Sequence, residues 1–134
     1  MSAKFINLIV TNGGSAGMGF TLMPGMDGDN LINTDIITLV DYTLGGAEAR
    51  FEISTNVVIN NGMSDVIKQY LVYASKSRTG TYQNAASLPS ANWMAEAKKA
   101  IIEAISNEAP GGGKTNVVFP KDGTERVYLR GITY

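Results

Sequence analysis

Val127-Tyr128-Leu129-Arg130-Gly131-Ile132-Thr133-Tyr134 is the stretch on which the reading of the fold turns. An apolar run carries one cation into a glycine and resumes apolar character after it. That pattern fits a strand, a sharp turn and the start of another strand better than it fits a helix. Upstream, residues 115–119 (TNVVF) read as a further strand, and Pro120-Lys121-Asp122-Gly123 reads as the turn joining it to the strand that opens at Arg126. Nothing in the stretch reads as a reaction centre, so its value is architectural.

Working outward, 134 residues are the length of a single domain able to bury roughly two thirds of the surface that its unfolded chain exposes. Apolar residues make up 44% and charged residues 17%, which describes a folded protein with few repulsive surface groups and predicts self-association. Cysteine and histidine are both absent, which removes disulfides, thiolate sites, the commonest general base and the commonest transition-metal ligand. Serine–histidine triads, cysteine–histidine enzymes and zinc hydrolases are therefore excluded, and an enzyme is not expected. No cofactor and no metal is expected either. A net charge of −1 supplies no general field for nucleic acid. No signal peptide and no run of 18 apolar residues is visible, so neither secretion nor a membrane span is expected.

In chain order, residues 5–10 (FINLIV) form an apolar run too short for a helix and end at Asn12-Gly13-Gly14, a buried strand followed by a turn. Residues 20–23 (FTLM) give a second short strand in an antiparallel hairpin, and residues 31–42 (LINTDIITLVDY) a long third one. Residues 49–53 (ARFEI) alternate at period two as a fourth, and Val57-Val58-Ile59 extends it. Met63, Val66, Ile67, Tyr70, Leu71 and Ala74 then fall at helical spacing and predict an amphipathic helix over residues 63–74. A long polar loop follows, after which Ser90 caps a second helix with Trp93, Met94, Ala97, Ile101, Ala104 and Ile105 on one face.

Two motifs are decoys. Gly111-Gly112-Gly113-Lys114-Thr115 resembles the end of a phosphate-binding loop, but its first glycine would fall on Glu108, and it follows a helix where the mechanism requires a strand. Asp27, Asp29 and Asp35 lack the glycine and glutamate of a calcium loop and are explained by turn chemistry. No pair of carboxylates predicts a shared cleft.

At two places the chain resembles the Sm-like family. Val10-Thr11-Asn12-Gly13 and Asp29-Asn30-Leu31-Ile32-Asn33 look like that family's first motif, and Leu129-Arg130-Gly131-Ile132 looks like its second. The wider frame, from KFINLIVTNGG to TNVVF, is similar to short Sm-like proteins associated with marine cyanophages. The order of strands and helices gives an α+β fold, and the resemblance implies that its strands form a small, strongly bent antiparallel β-barrel, with the two amphipathic helices inserted before the C-terminal strands. It also implies a self-assembling protein of the host cytoplasm or the virion, with a copy of itself, single-stranded RNA or virion proteins as partners. Carried over, Asn33 holds a base edge, Asp29 the loop, Arg130 stacks on a base and Gly131 allows the tight turn. Read without the resemblance, Arg130 is a long cation at a strand end, solvated or paired with a neighbouring subunit's carboxylate. The alternative function is a phage virion structural or decoration protein that binds no nucleic acid.

Overall fold

The computed structural model describes residues 4–11, 28–60, 62–79, 82–107 and 113–133. The strands are β1 (Lys4–Val10), β2 (Gly28–Asn33), β3 (Ile37–Gly45), β4 (Glu48–Asn60), β5 (Asp65–Ser75), β6 (Gly113–Asn116) and β7 (Tyr128–Thr133), with one helix, α1 (Ala91–Ser106). Along one sheet the strands run β2-β1-β7-β5-β4-β3, and β6 pairs with the first half of β1. Most ladders are antiparallel, but β1 lies parallel to both β6 and β7, so the sheet is mixed.

One connection sets the shape. β2 and β3 occupy opposite ends of the strand order, yet only the 3-10 turn Thr34–Ile36 separates them in the chain. Three residues span on the order of 10 Å at most, so the sheet has to curl until its two edges approach at that corner. α1 packs against both β3 and β1, filling the concave side. The edges do not join by a ladder, and the sheet is not closed into a barrel.

The expected Sm-like barrel with two inserted helices is therefore corrected to a curled, open, mostly-β sheet with one helix. The helix expected over residues 63–74 is β5. Its apolar side chains lie on both faces of the strand: Val66 and Ile67 on opposite, exposed faces of its first half, and Val72 and Ala74 toward the core with Tyr73 buried against Tyr82 on the other side. Apolar side chains on both faces erase the alternation by which a strand is recognised. Val66, Ile67, Tyr70, Val72 and Tyr73 are β-branched or aromatic, and such side chains fit a pleated ladder better than a helix. The long third strand is broken by the 3-10 turn, where the Asn33 side chain accepts the Asp35 N–H at 2.9 Å. The expected strand at residues 115–119 is shifted to Gly113–Asn116, and the second strand at residues 20–23 lies outside the described residues.

The turn expected at Arg130-Gly131 is also corrected: β7 runs straight through it, paired with β5. Ala74 pairs with Leu129 and Tyr73 with Gly131, which leaves Arg130 as one extra residue in the ladder. This bulge lets Leu129 and Ile132, three positions apart, both face the core.

The second expected helix is present with its apolar face. Trp93, Met94, Ala97, Ile101 and Ala104 are buried against Phe51 and the inward residues of β1 and β3. The Ser90 hydroxyl caps the helix by accepting the Trp93 N–H at 3.1 Å, and the Trp93 indole donates to the Pro120 carbonyl at 2.7 Å. Ser90 is held in turn by Asp122, whose carboxylate accepts the Ser90 N–H at 2.7 Å and its hydroxyl at 2.8 Å. The Ser90 backbone N–H is the main reason that the Asp122 carboxyl sits below the ordinary carboxylate range. A lowered folded value means stability that is present above the unfolded pKa and lost as pH falls through the folded one. Replacing Asp122 by Ala should cost about 1 kcal/mol at neutral pH. In urea unfolding, that deficit relative to the unsubstituted protein should shrink once pH falls below the lowered value.

Candidate functional site

The four residues singled out by the resemblance do not share one face. Asn33 ends β2 opposite Phe5, at the start of β1, whereas Leu129, next to Arg130, pairs with Val10 at the end of β1. Five strand residues separate the two positions, roughly 17 Å. Asp29 lies on the outer face of β2 opposite Ile9, where its carboxylate meets the Lys114 ammonium at 3.1 Å. A hydrogen bond from Asn7 and then Lys114 hold that carboxyl below its ordinary range. Gly131 is buried inside β7.

Arg130 is fully buried. Its Nε donates to the Thr11 carbonyl at 2.9 Å, and its Nη1 donates to the Ser77 carbonyl at 2.9 Å and the Ser77 hydroxyl at 3.1 Å. The guanidinium lies 5.5 Å from the centre of the Tyr82 ring, which in turn tilts against Tyr73. Burial lowers the Arg130 pKa, opposed by the attraction of Tyr82, yet a guanidinium stays cationic. The bulge residue thus ties the end of β1 to the segment following β5. In this geometry its donors serve the protein's own backbone, not a base.

Thr11, held by that arginine, also lines a cleft of about 450 Å³. The cleft opens where β1 exchanges β6 for β7 as its parallel neighbour, between residues 117–121 and residues 126–129. Its walls are Ile9, Val118, Phe119, Val127 and Leu129, and Ile9 and Val118 are 48% and 79% exposed. The rim carries Lys121 and Arg126, the latter stacked 5.0 Å over the Tyr128 ring.

The sequence sorts these charges. In Lys121-Asp122-Gly123-Thr124-Glu125-Arg126, Asp122 and Glu125 exchange backbone hydrogen bonds at 2.8 and 3.0 Å around Gly123, whose φ of +64° suits the tight turn. Alternation along a hairpin then sends side chains 122 and 125 to one side and 121 and 126 to the other. The acids meet Lys76, at 3.4 Å from Asp122 and 3.3 Å from Glu125, and the cations border the cleft. Among the described residues no acid lines it. Sequence reasoning identified the turn but not the cleft, whose signal was the sign alternation on either side of Asp-Gly.

A second feature lies at the far end of β5. β3 accompanies β4 only as far as Thr55, and β7 accompanies β5 only from Leu71 onward. Beyond them β4 and β5 continue as a two-stranded arm with no third strand among the described residues. The pairs are Val58 with Ile67, Ile59 with Val66 and Asn60 with Asp65. The arm leaves the sheet at a bulge held by buried Thr55, whose hydroxyl donates to the Lys68 carbonyl at 2.8 Å and accepts the Val57 N–H at 3.1 Å. Val58 and Ile67 (60% and 64% exposed) lie on one face and Ile59 and Val66 (40% and 42%) on the other, with Met63 at the tip.

Among the described residues no cluster of three metal-ligating side chains occurs, and no helix is long and apolar enough to cross a membrane. The features described are apolar contact surface, two rim cations and a projecting arm.

Two substitutions check the buried polar node. Arg130→Ala strands the Thr11 and Ser77 carbonyls and should lower the unfolding free energy by about 3 kcal/mol in denaturant titration. The Tyr73 hydroxyl is pushed up to about 12 from 10.0, by burial first and then by Glu48. A raised folded pKa means stability that is fully present below the unfolded value and lost as pH rises toward the folded one. The parent should therefore lose stability between pH 10 and 12 relative to Tyr73→Phe.

No family model, no curated protein and no solved structure matches this chain, so the function rests on the chemistry of the cleft and the arm.

Proposed function

We propose that this is a non-enzymatic, self-assembling protein whose contact element is the β4–β5 arm. The observation that carries the reading is that residues 58–60 and 65–67 extend beyond the neighbouring strands with branched apolar side chains on both faces. A lone two-stranded hairpin is marginal in water, and apolar residues on both of its faces cannot be covered by the sheet from which it springs. At roughly 25 cal/mol per Å², covering the arm supplies a driving force for association that folding of a single copy leaves unused. The low fraction of charged residues, 17%, lessens repulsion between copies.

Single-stranded RNA held by Asn33 and Arg130 forms no part of this proposal. Those residues lie at opposite ends of β1, and the arginine is buried among the protein's own acceptors.

Sedimentation velocity over a concentration series tests the proposal. The parent protein should shift from monomer to larger species, whereas Val58→Ser combined with Ile67→Ser should remain monomeric with an unchanged far-ultraviolet spectrum. A parent protein that stays monomeric throughout would remove the idea.

A further inference from the structure

Given self-assembly through the arm, the structure also offers the surface that receives it. We propose that the arm tip of one copy seats in the cleft of a second copy, so that assembly is head to tail.

The two surfaces are complementary in shape and in charge. The arm is a narrow, two-sided apolar projection, and within residues 58–67 it carries one charged side chain, Asp65. The Asn60 amide donates to the Asp65 carboxylate at 3.0 Å, which fixes it at the tip without neutralising it. The cleft is a concave apolar trough with exposed Ile9 and Val118, bordered by Lys121 and Arg126 and, among the described residues, lined by no acid. Its volume, about 450 Å³, accommodates several side chains. An acid at the tip facing two cations at the rim steers the encounter and sets its direction. Packing arm against arm would instead oppose Asp65 to Asp65 and leave both rim cations in water.

Position within the fold excludes a copy's own arm as the occupant. Ser75, at one end of β5, pairs with Tyr128 in the cleft lining, and Asp65 stands at the other end. Ten strand residues separate them, on the order of 30 Å, so no copy fills its own cleft. Arm and cleft are different surfaces, which makes the contact heterologous. Repetition yields a ring if the rotation closes and a filament if it does not. An interface confined to a hairpin tip and one trough lies at the small end, below about 1,200 Å², and its affinity should be modest.

Complementation between variants tests the direction of assembly. An arm variant (Val58→Ser with Ile67→Ser) and a cleft variant (Val118→Glu, at a residue too exposed to disturb the core) should each weaken self-association at least tenfold. Mixed, they should form a 1:1 heterodimer that grows no further, because only one intact arm and one intact cleft can meet. Arg126→Glu should weaken association, and adding Asp65→Lys should restore it. Thermal unfolding midpoints near that of the parent confirm that each variant is folded. If the parent associates and the arm variant does not, but Val118→Glu associates as the parent does or the mixture stays monomeric, the head-to-tail contact is overturned while self-assembly stands. A parent that is monomeric at every concentration overturns both.

Discussion

Three residues, Thr34 to Ile36, carry the chain from one edge of the sheet to the other, and the remaining architecture accommodates that span. A flat sheet of this strand order would set β2 and β3 five neighbours apart, far beyond the reach of so short a link. Curling makes one concave face, which is why the inward residues of β1, β2, β3, β4, β5 and β7 share a single cluster with the apolar stripe of α1. The helix occupies the space that a closed barrel would give to its own side chains, and the two sheet edges meet at a corner without a ladder.

Curvature in such a sheet is set by bulges, and here two of them also place the working surfaces. Arg130 is the extra residue that brings both Leu129 and Ile132 inward, and its guanidinium reaches across to Thr11 and Ser77. The end of β1 is thereby pinned next to β7, leaving the trough where β6 has already departed. Near Thr55 the second bulge turns β4 and β5 away from β3. One bulge shapes a cavity at one end of β5, and the other launches an arm at the opposite end. Cleft and arm thus lie at opposite ends of β5 because of where the ladder is interrupted.

Charge then adds direction to shape. A short turn around Gly123 sends Asp122 and Glu125 toward Lys76, where Asp122 also holds the helix cap, and leaves Lys121 and Arg126 at the cleft. Six consecutive residues thus place acids against Lys76 on one side and cations at the cleft on the other, through strand alternation alone.

Local signals were legible wherever one principle acted without competition. The capped helix at Ser90, the alternation of residues 49–53 and the absence of histidine and cysteine were all readable from the chain itself. Residues 63–74 were not, because a strand with apolar side chains on both faces, exposed in its first half and buried in its second, loses its period of two and its apolar positions then imitate a helix. Leu129-Arg130-Gly131-Ile132 looked like a corner because the sequence cannot tell a turn from a bulge: both place a flexible residue between two apolar ones, and only the partner strand decides between them. The exposed cation expected at Arg130 is likewise a buried one, since burial depends on Thr11, Ser77 and Tyr82, which lie 119, 53 and 48 positions away in the chain. By itself the sequence determined the residue chemistry, the helix and most of the strand segments, because these follow from composition and local periodicity. Tertiary structure alone decided the sheet order, the buried arginine, the cleft and the two-stranded arm, because each is defined by which distant strands stop pairing and where.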